Sequence, residues 1–129
     1  MSQLQVFYFE GKNICTELSD LINIFNYRLN NCNYIELNDG YPFMIILING
    51  CFACAMYYEN EFDGGHYAYI NDHFIDENDS TMFYMGTSKN PTETLISNKL
   101  VIPVSTAKAI VEEFFISKKM LNTVNWFDL

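Results

Sequence analysis

The stretch "PFMIILINGCFACAMYY", residues 42–58, constrains the fold more than any other in this chain. Two apolar runs, "FMIILI" and "CFACAMYY", meet at Asn49-Gly50. Asn-Gly accepts the positive φ angles of a type I′ turn, whose twist matches that of paired antiparallel strands, so the segment reads as a β-hairpin. The first run shows no polar alternation. A strand of that kind is covered on both faces, which puts it at the centre of a sheet. Each run is far shorter than the roughly 20 residues that a membrane-spanning helix requires.

Further strands flank the hairpin. "LQVFYFE" (Leu4 to Glu10) is rich in β-formers and closed by Gly11. "YIEL" (Tyr34 to Leu37) leads to a turn at Asn38-Asp39-Gly40. "HYAYI" alternates after Asp63-Gly64-Gly65, and "TMFYM" follows the polar loop "NDHFIDENDS". Together these predict a meander of antiparallel strands. "TSKNPTETLISNK" reads as a long connection of weak structure, with "LVI" a short strand beyond it.

Two segments carry helical periodicity instead. Leu18, Leu21, Ile22, Phe25 and Leu29 recur at helical spacing between Thr16 and Leu29, with Thr16 or Asn13 as the cap and "NNCN" as the break. After Pro103, Ser105 or Thr106 caps a second helix. Its Ala107, Ile110, Val111, Phe114 and Phe115 share one face, while Lys108, Glu112 and Glu113 face out. Lys118 and Lys119 complement the dipole of its last turn. Two helices against a mostly antiparallel sheet make an α+β fold. At 129 residues the chain, 1–129, is a single domain able to bury a core without metal or disulfide staples.

Charge narrows the function. Sixteen Asp and Glu against seven Lys and Arg give a formal charge of −9. Such a surface repels phosphate backbones, which excludes direct nucleic-acid binding, and it attracts basic proteins. "MSQLQVFYFEGK" has no basic region followed by an apolar run, so the chain reads as soluble and cytoplasmic. Cys15, Cys32, Cys51 and Cys54 are then reduced, buried thiols.

The motifs that could carry chemistry are weak. "CFAC" has redox or zinc spacing, but in a strand the odd separation points Cys51 and Cys54 to opposite faces, and no second pair completes a site. His66 and His73 are split by the same parity. A Cys54–His66–Asp72 triad is possible only as a selection of residue types, and "DGGH" lacks the lysine and the strand-to-helix context of a phosphate loop. "NDHFIDENDS" lacks the glycine and glutamate of a calcium loop. The reading is of a protein without catalytic residues, metal or cofactor.

One region does stand out. From Glu59 to Asp79 the chain holds Glu59, Glu61, Asp63, Asp72, Asp76, Glu77 and Asp79, with no Lys or Arg among them. Tyr57, Tyr58, Phe62, Tyr67, Tyr69 and Phe74 are interleaved. Carboxylates steer a basic partner and aromatics anchor it, so Glu59, Glu61, Asp63, Tyr67, Tyr69, Asp72, Asp76, Glu77 and Asp79 are the candidate partner-binding residues. A solvated acidic loop over core aromatics would have the same composition.

The C-terminal quarter adds a likeness. Pro103, Ala107, Ala109, Ile110, Phe114, Phe115, Val124 and Trp126 form a pattern that resembles the ending of a family of bacterial immunity proteins from polymorphic toxin systems. That family includes immunity proteins to cytosine-deaminase toxins. Lys118 stands where the family commonly has glycine, and Leu121 where it has proline. The resemblance implies a cytoplasmic inhibitor that caps the active site or substrate groove of a cognate toxin domain, a basic one if it acts on nucleic acid. It also implies that the matched residues determine the fold, with Trp126 closing the end of the core. The competing expectation is a small-molecule- or peptide-binding α+β module, with its pocket between sheet and helices.

Overall fold

The central hairpin forms as its apolar arms require. In the computed structural model, which describes residues 3–70, 74–88 and 90–128, β4 (Phe43–Asn49) pairs with β5 (Phe52–Tyr58) along its whole length. The connecting turn is Gly50-Cys51, one residue later than expected, since Asn49 is already paired with Phe52. Only Gly50 has positive φ, at 61°, which is the glycine-first pattern of a type II′ turn. Cys51 is therefore an exposed turn residue and not a buried thiol, while Cys15, Cys32 and Cys54 are buried as expected.

Successive residues of β4 serve two cores. Met44, Ile46 and Ile48 pack into the helix side of the sheet, and Leu47 is fully buried on the other. The antiparallel sheet runs β10 (Asn125–Asp128), β6 (His66–Tyr69), β5, β4, β3 (Cys32–Leu37), β1 (Leu4–Tyr8), β2 (Gly11–Cys15). The short β9 (Ile102–Pro103) shares the outer edge of β5 with β6, meeting Phe52 and Ala53 while β6 meets Met56 and Tyr57. The fold is α+β, as the sequence predicts.

Both helices cover one face. In α2 (Val104–Ser117) the predicted stripe of Ala107, Ile110, Val111, Phe114 and Phe115 is buried, against Ala53, Ala55 and Tyr57 of β5 among others. Its N-cap is Pro103, and Ser105 and Thr106 lie inside the helix. Lys118 ends it in the left-handed conformation, at φ 60°. Its N–H donates to the Phe114 carbonyl at 2.9 Å, and its ammonium sits 5.7 Å from the Phe114 ring centre. A lysine thus makes the stop that glycine makes more cheaply.

α1 (Leu18–Phe25) is shorter than its periodicity suggests, and its N-cap is Glu17. The Asp20 carboxylate reaches back to accept the N–H groups of Thr16 and Glu17, both at 3.0 Å, the returning half of a capping box in which Thr16 is not the N-cap. At the other end Asn33, fully buried, donates to the Ile24 carbonyl at 2.8 Å, and Arg28 donates to the carbonyls of Phe25 and Tyr27. Those side chains satisfy the helix's last carbonyls, so further turns are not needed to do so.

The opposite face is covered by a second hairpin, β7 (Ser80–Met85) and β8 (Thr92–Ser97), a two-stranded sheet of its own. Fully buried Phe83 packs into a core with Leu47, Cys54 and Met56, and Asn49 donates to the Met82 carbonyl at 2.8 Å. "TMFYM" therefore leaves the meander and crosses to the other face, and the segment expected to be a weak connection contains β8. Trp126 is half-buried, not sealed in, because β10 is an edge strand paired with β6 alone. Its indole N–H donates to the Leu121 carbonyl at 3.0 Å, and its ring meets Tyr57 edge-on. No helix among the described residues is long and apolar enough to cross a membrane.

Candidate functional site

β5 leaves the core at Tyr58, and residues 59–65 return the chain into β6. Asp63 organises that loop. Its carboxylate accepts the N–H of Glu59 at 2.8 Å and of Gly65 at 3.0 Å, and meets His66 Nε2 at 2.9 Å. Asn60 fixes the tip, its side chain accepting the Phe62 N–H at 3.0 Å and its carbonyl accepting the Asp63 N–H at 3.1 Å. Gly65 is obligatory: its φ is 103°, and a Cβ there would lie 2.8 Å from the Tyr58 ring. The backbone donors of Glu59 and Gly65, with His66, hold the Asp63 carboxyl below the usual carboxylate range.

This scaffold pushes Phe62 into solvent. The ring is 88% exposed and stands between exposed Glu61 and the spent carboxylate of Asp63. An aromatic row runs beside the loop, with Tyr58 stacked on its cross-strand partner Phe43 at 4.7 Å and Phe43 against Tyr41 at 5.1 Å. Tyr41 is 52% exposed. Tyr57 points the other way, into the helix-side core, and its hydroxyl donates to Glu59 at 2.5 Å. Burial and that carboxylate both push the Tyr57 phenol up.

The structure divides the predicted acidic region. Glu59, Glu61 and Asp63 lie at the Tyr58 end of β5, with half-buried Tyr67 on the neighbouring strand. Phe74 lies 6.0 Å from Phe52, at the start of β5, and Asp76, Glu77 and Asp79 follow it. A seven-residue strand separates the two ends by roughly 20 Å. In that second loop the carbonyls of Asp76 and Asp79 accept from Asn98, and their side chains cap the N–H groups of Asn78 and Ser80. Tyr69 belongs to neither group. It lines an apolar cleft of about 230 Å³ with Ser97, Lys99, Leu100 and Phe127. Asp72, like His73, lies outside the described residues.

Tyr41 and Phe43 were not among the predicted site residues. Pairing outward from the expected Asn49-Gly50 turn would set Phe43 opposite Met56, and it is the observed Gly50-Cys51 turn that sets it opposite Tyr58. The partnership of His66 with Asp128, at 2.5 Å, has no local signal in the sequence.

Cys54 and His66, the two described members of the notional triad, are not brought together. Cys54 is fully buried on the hairpin side, and burial pushes its thiol up to about 12. His66 is paired with Tyr57, whose side chain faces the helices, so the two described members of the notional triad lie on opposite faces. Among the described residues no group of three or more His, Cys, Asp or Glu side chains is arranged to hold a metal. The salt bridges between described residues are both made by His66, and Arg28 and Lys118 are turned onto backbone carbonyls and a ring.

No protein-family model matches the chain, and no curated protein matches it. Fold and site together define an α+β domain that presents an acidic loop with an exposed aromatic tip beside a row of aromatic rings.

Proposed function

We propose that the protein is a non-enzymatic immunity protein, acting in the cytoplasm, that binds a cognate basic toxin domain and covers its active site or substrate groove. The observation that carries this reading is the 59–65 loop, where hydrogen bonds hold an exposed phenylalanine among carboxylates. An anchor ordered in advance loses little entropy on binding, and neighbouring carboxylates speed encounter with a basic groove. The charge of −9 supports the same partner, a toxin whose own substrate is nucleic acid. The C-terminal resemblance supports the fold rather than the contact. Ala107, Ile110, Phe114 and Phe115 are buried, and Val124 and Trp126 pack on the same core.

Co-expression of the tagged chain with the toxin domain encoded immediately upstream of its gene tests the reading. Co-purification with rescue of growth is expected; absence of both would overturn it. A second reading, a small-molecule-binding module, is favoured by the apolar cleft at Tyr69 and Phe127. At about 230 Å³ that cleft falls below the roughly 300–1,000 Å³ of ordinary ligand pockets, so the immunity reading is preferred.

A further inference from the structure

His66 makes a pair of contacts that only one of its protonation states can satisfy. Its Nε2 meets Asp63 Oδ2 at 2.9 Å and its Nδ1 meets Asp128 Oδ1 at 2.5 Å. Ionised carboxylates only accept, so both contacts need N–H on both ring nitrogens, which is the imidazolium. The groups facing the ring come from three elements: Asp63 from the β5–β6 loop, Asp128 from β10, and Tyr57 from β5, with ring centres 6.1 Å apart. The Tyr57 hydroxyl is occupied by Glu59 and lies 3.4 Å from the Lys118 carbonyl at the end of α2. The charges acting on His66 are those of Asp63 and Asp128, and with the Asp128 hydrogen bond foremost they hold the imidazole above its ordinary range.

The two carboxylates are not equivalent. Asp63 keeps the backbone donors of Glu59 and Gly65 whatever the state of His66. Asp128 is 78% exposed, with His66 as its partner, on a strand that pairs with β6 alone. When the ring loses a proton, retaining Nε2–H preserves the Asp63 contact and turns the Nδ1 lone pair towards Asp128. Two acceptors then face each other, and the less anchored one leaves.

We propose that His66 is a pH-dependent latch on β10: the imidazolium clips Asp128 and the strand to β6, and neutral His66 stays on Asp63 and lets the end of β10 open. Opening uncovers the backbone edge of β6 at His66 and Tyr67. The sign follows from linkage. Because Asp128 raises the closed value above that of the opened state, in which Asp63 still faces the ring, the latch stabilises β10 fully below the open-state value and is lost as pH rises through the closed one. This inference does not depend on the identity of the partner.

The test uses the full chain, with nitrogen-15 NMR of the histidine ring and amide-exchange protection factors from about pH 5.5 to about pH 9. His66 is expected to titrate above about 6.5 and to become the Nε2–H tautomer. Protection of the β10 amides should fall over the same transition, about tenfold for each pH unit by which contact with Asp128 raises the titration. In Asp128→Asn the carboxamide N–H can donate to neutral Nδ1, so the titration should drop and β10 protection should become flat with pH. At this exposed site the substitution should leave folding intact, and an unchanged melting temperature at about pH 9 verifies that. A titration at or below 6.5, an Nδ1–H neutral tautomer, pH-independent protection in the unmodified protein, or unaltered pH dependence in Asp128→Asn would each overturn the latch.

Discussion

Two acidic loops flank β5, and they use their carboxylates differently. In residues 59–65 one carboxylate, Asp63, gathers the backbone donors and His66, and the loop's aromatic residue is left standing in solvent. In residues 74–79 the binding is done by carbonyls, which seat on the buried amide of Asn98, and Phe74 turns towards Phe52. One loop is braced from within and points outward; the other is bolted down from below. Equal acidity in the sequence does not imply equal availability to a partner.

The largest effect should come from removing the bolt. Asn98 is 6% exposed, and Asn98→Ala leaves the Asp76 carbonyl and the Thr81 hydroxyl without their partner. A loss of about 2–3 kcal/mol of stability is expected by denaturant titration, with toxin affinity retained once the protein is folded. Equal damage to binding would show that the second loop also makes contact.

Phe62→Ala should do the reverse. Its exposed ring contributes little to folding, so stability should change by no more than about 0.5 kcal/mol. Affinity for the toxin should fall by about 2 kcal/mol, or roughly thirtyfold, if the ring is an anchor. Calorimetry showing unchanged affinity would remove Phe62 from the interface.

Charge reversal separates the loops by distance. At about 0.15 M ionic strength screening acts over about 8 Å, well under the separation of the two ends. Reversing Glu59 and Glu61 should slow association about tenfold there, whereas reversing Asp76, Glu77 and Asp79 should matter chiefly at low salt. Equal slowing at physiological salt would mean that both loops contact the toxin.

The smallest effect tests the end of α2. Lys118→Gly relieves about 1 kcal/mol of left-handed strain and gives up about 0.5 kcal/mol of cation–π attraction. Thermal unfolding should show a net gain of about 0.5 kcal/mol, and a clear loss would mean that the Phe114 contact outweighs the strain.

Much of the scaffold was readable where burial imposes a period. The α2 stripe and the doubly covered β4 follow from their side chains, because each position's environment is repeated by its neighbours three, four or two residues away. β2, "GKNIC", and β8, "TETLIS", were not, since exposed edge strands need no apolar pattern and are defined by the partner that completes their ladder. β10 is of the same kind. The acidic–aromatic character of the candidate site was visible, but its division into two ends was not.

Taken alone, the sequence determined the class of fold, the two-sided burial of β4, the core face of α2 and the acidity of the surface, all properties of local composition and spacing. Tertiary structure decided that β7 and β8 leave the sheet for its far face, that Phe43 and Tyr41 stand beside the acidic loop, and that Asp63 and Asp128 close on one histidine. Those arrangements depend on residues up to 62 positions apart, brought together by strand register, and no local pattern encodes such a register on its own.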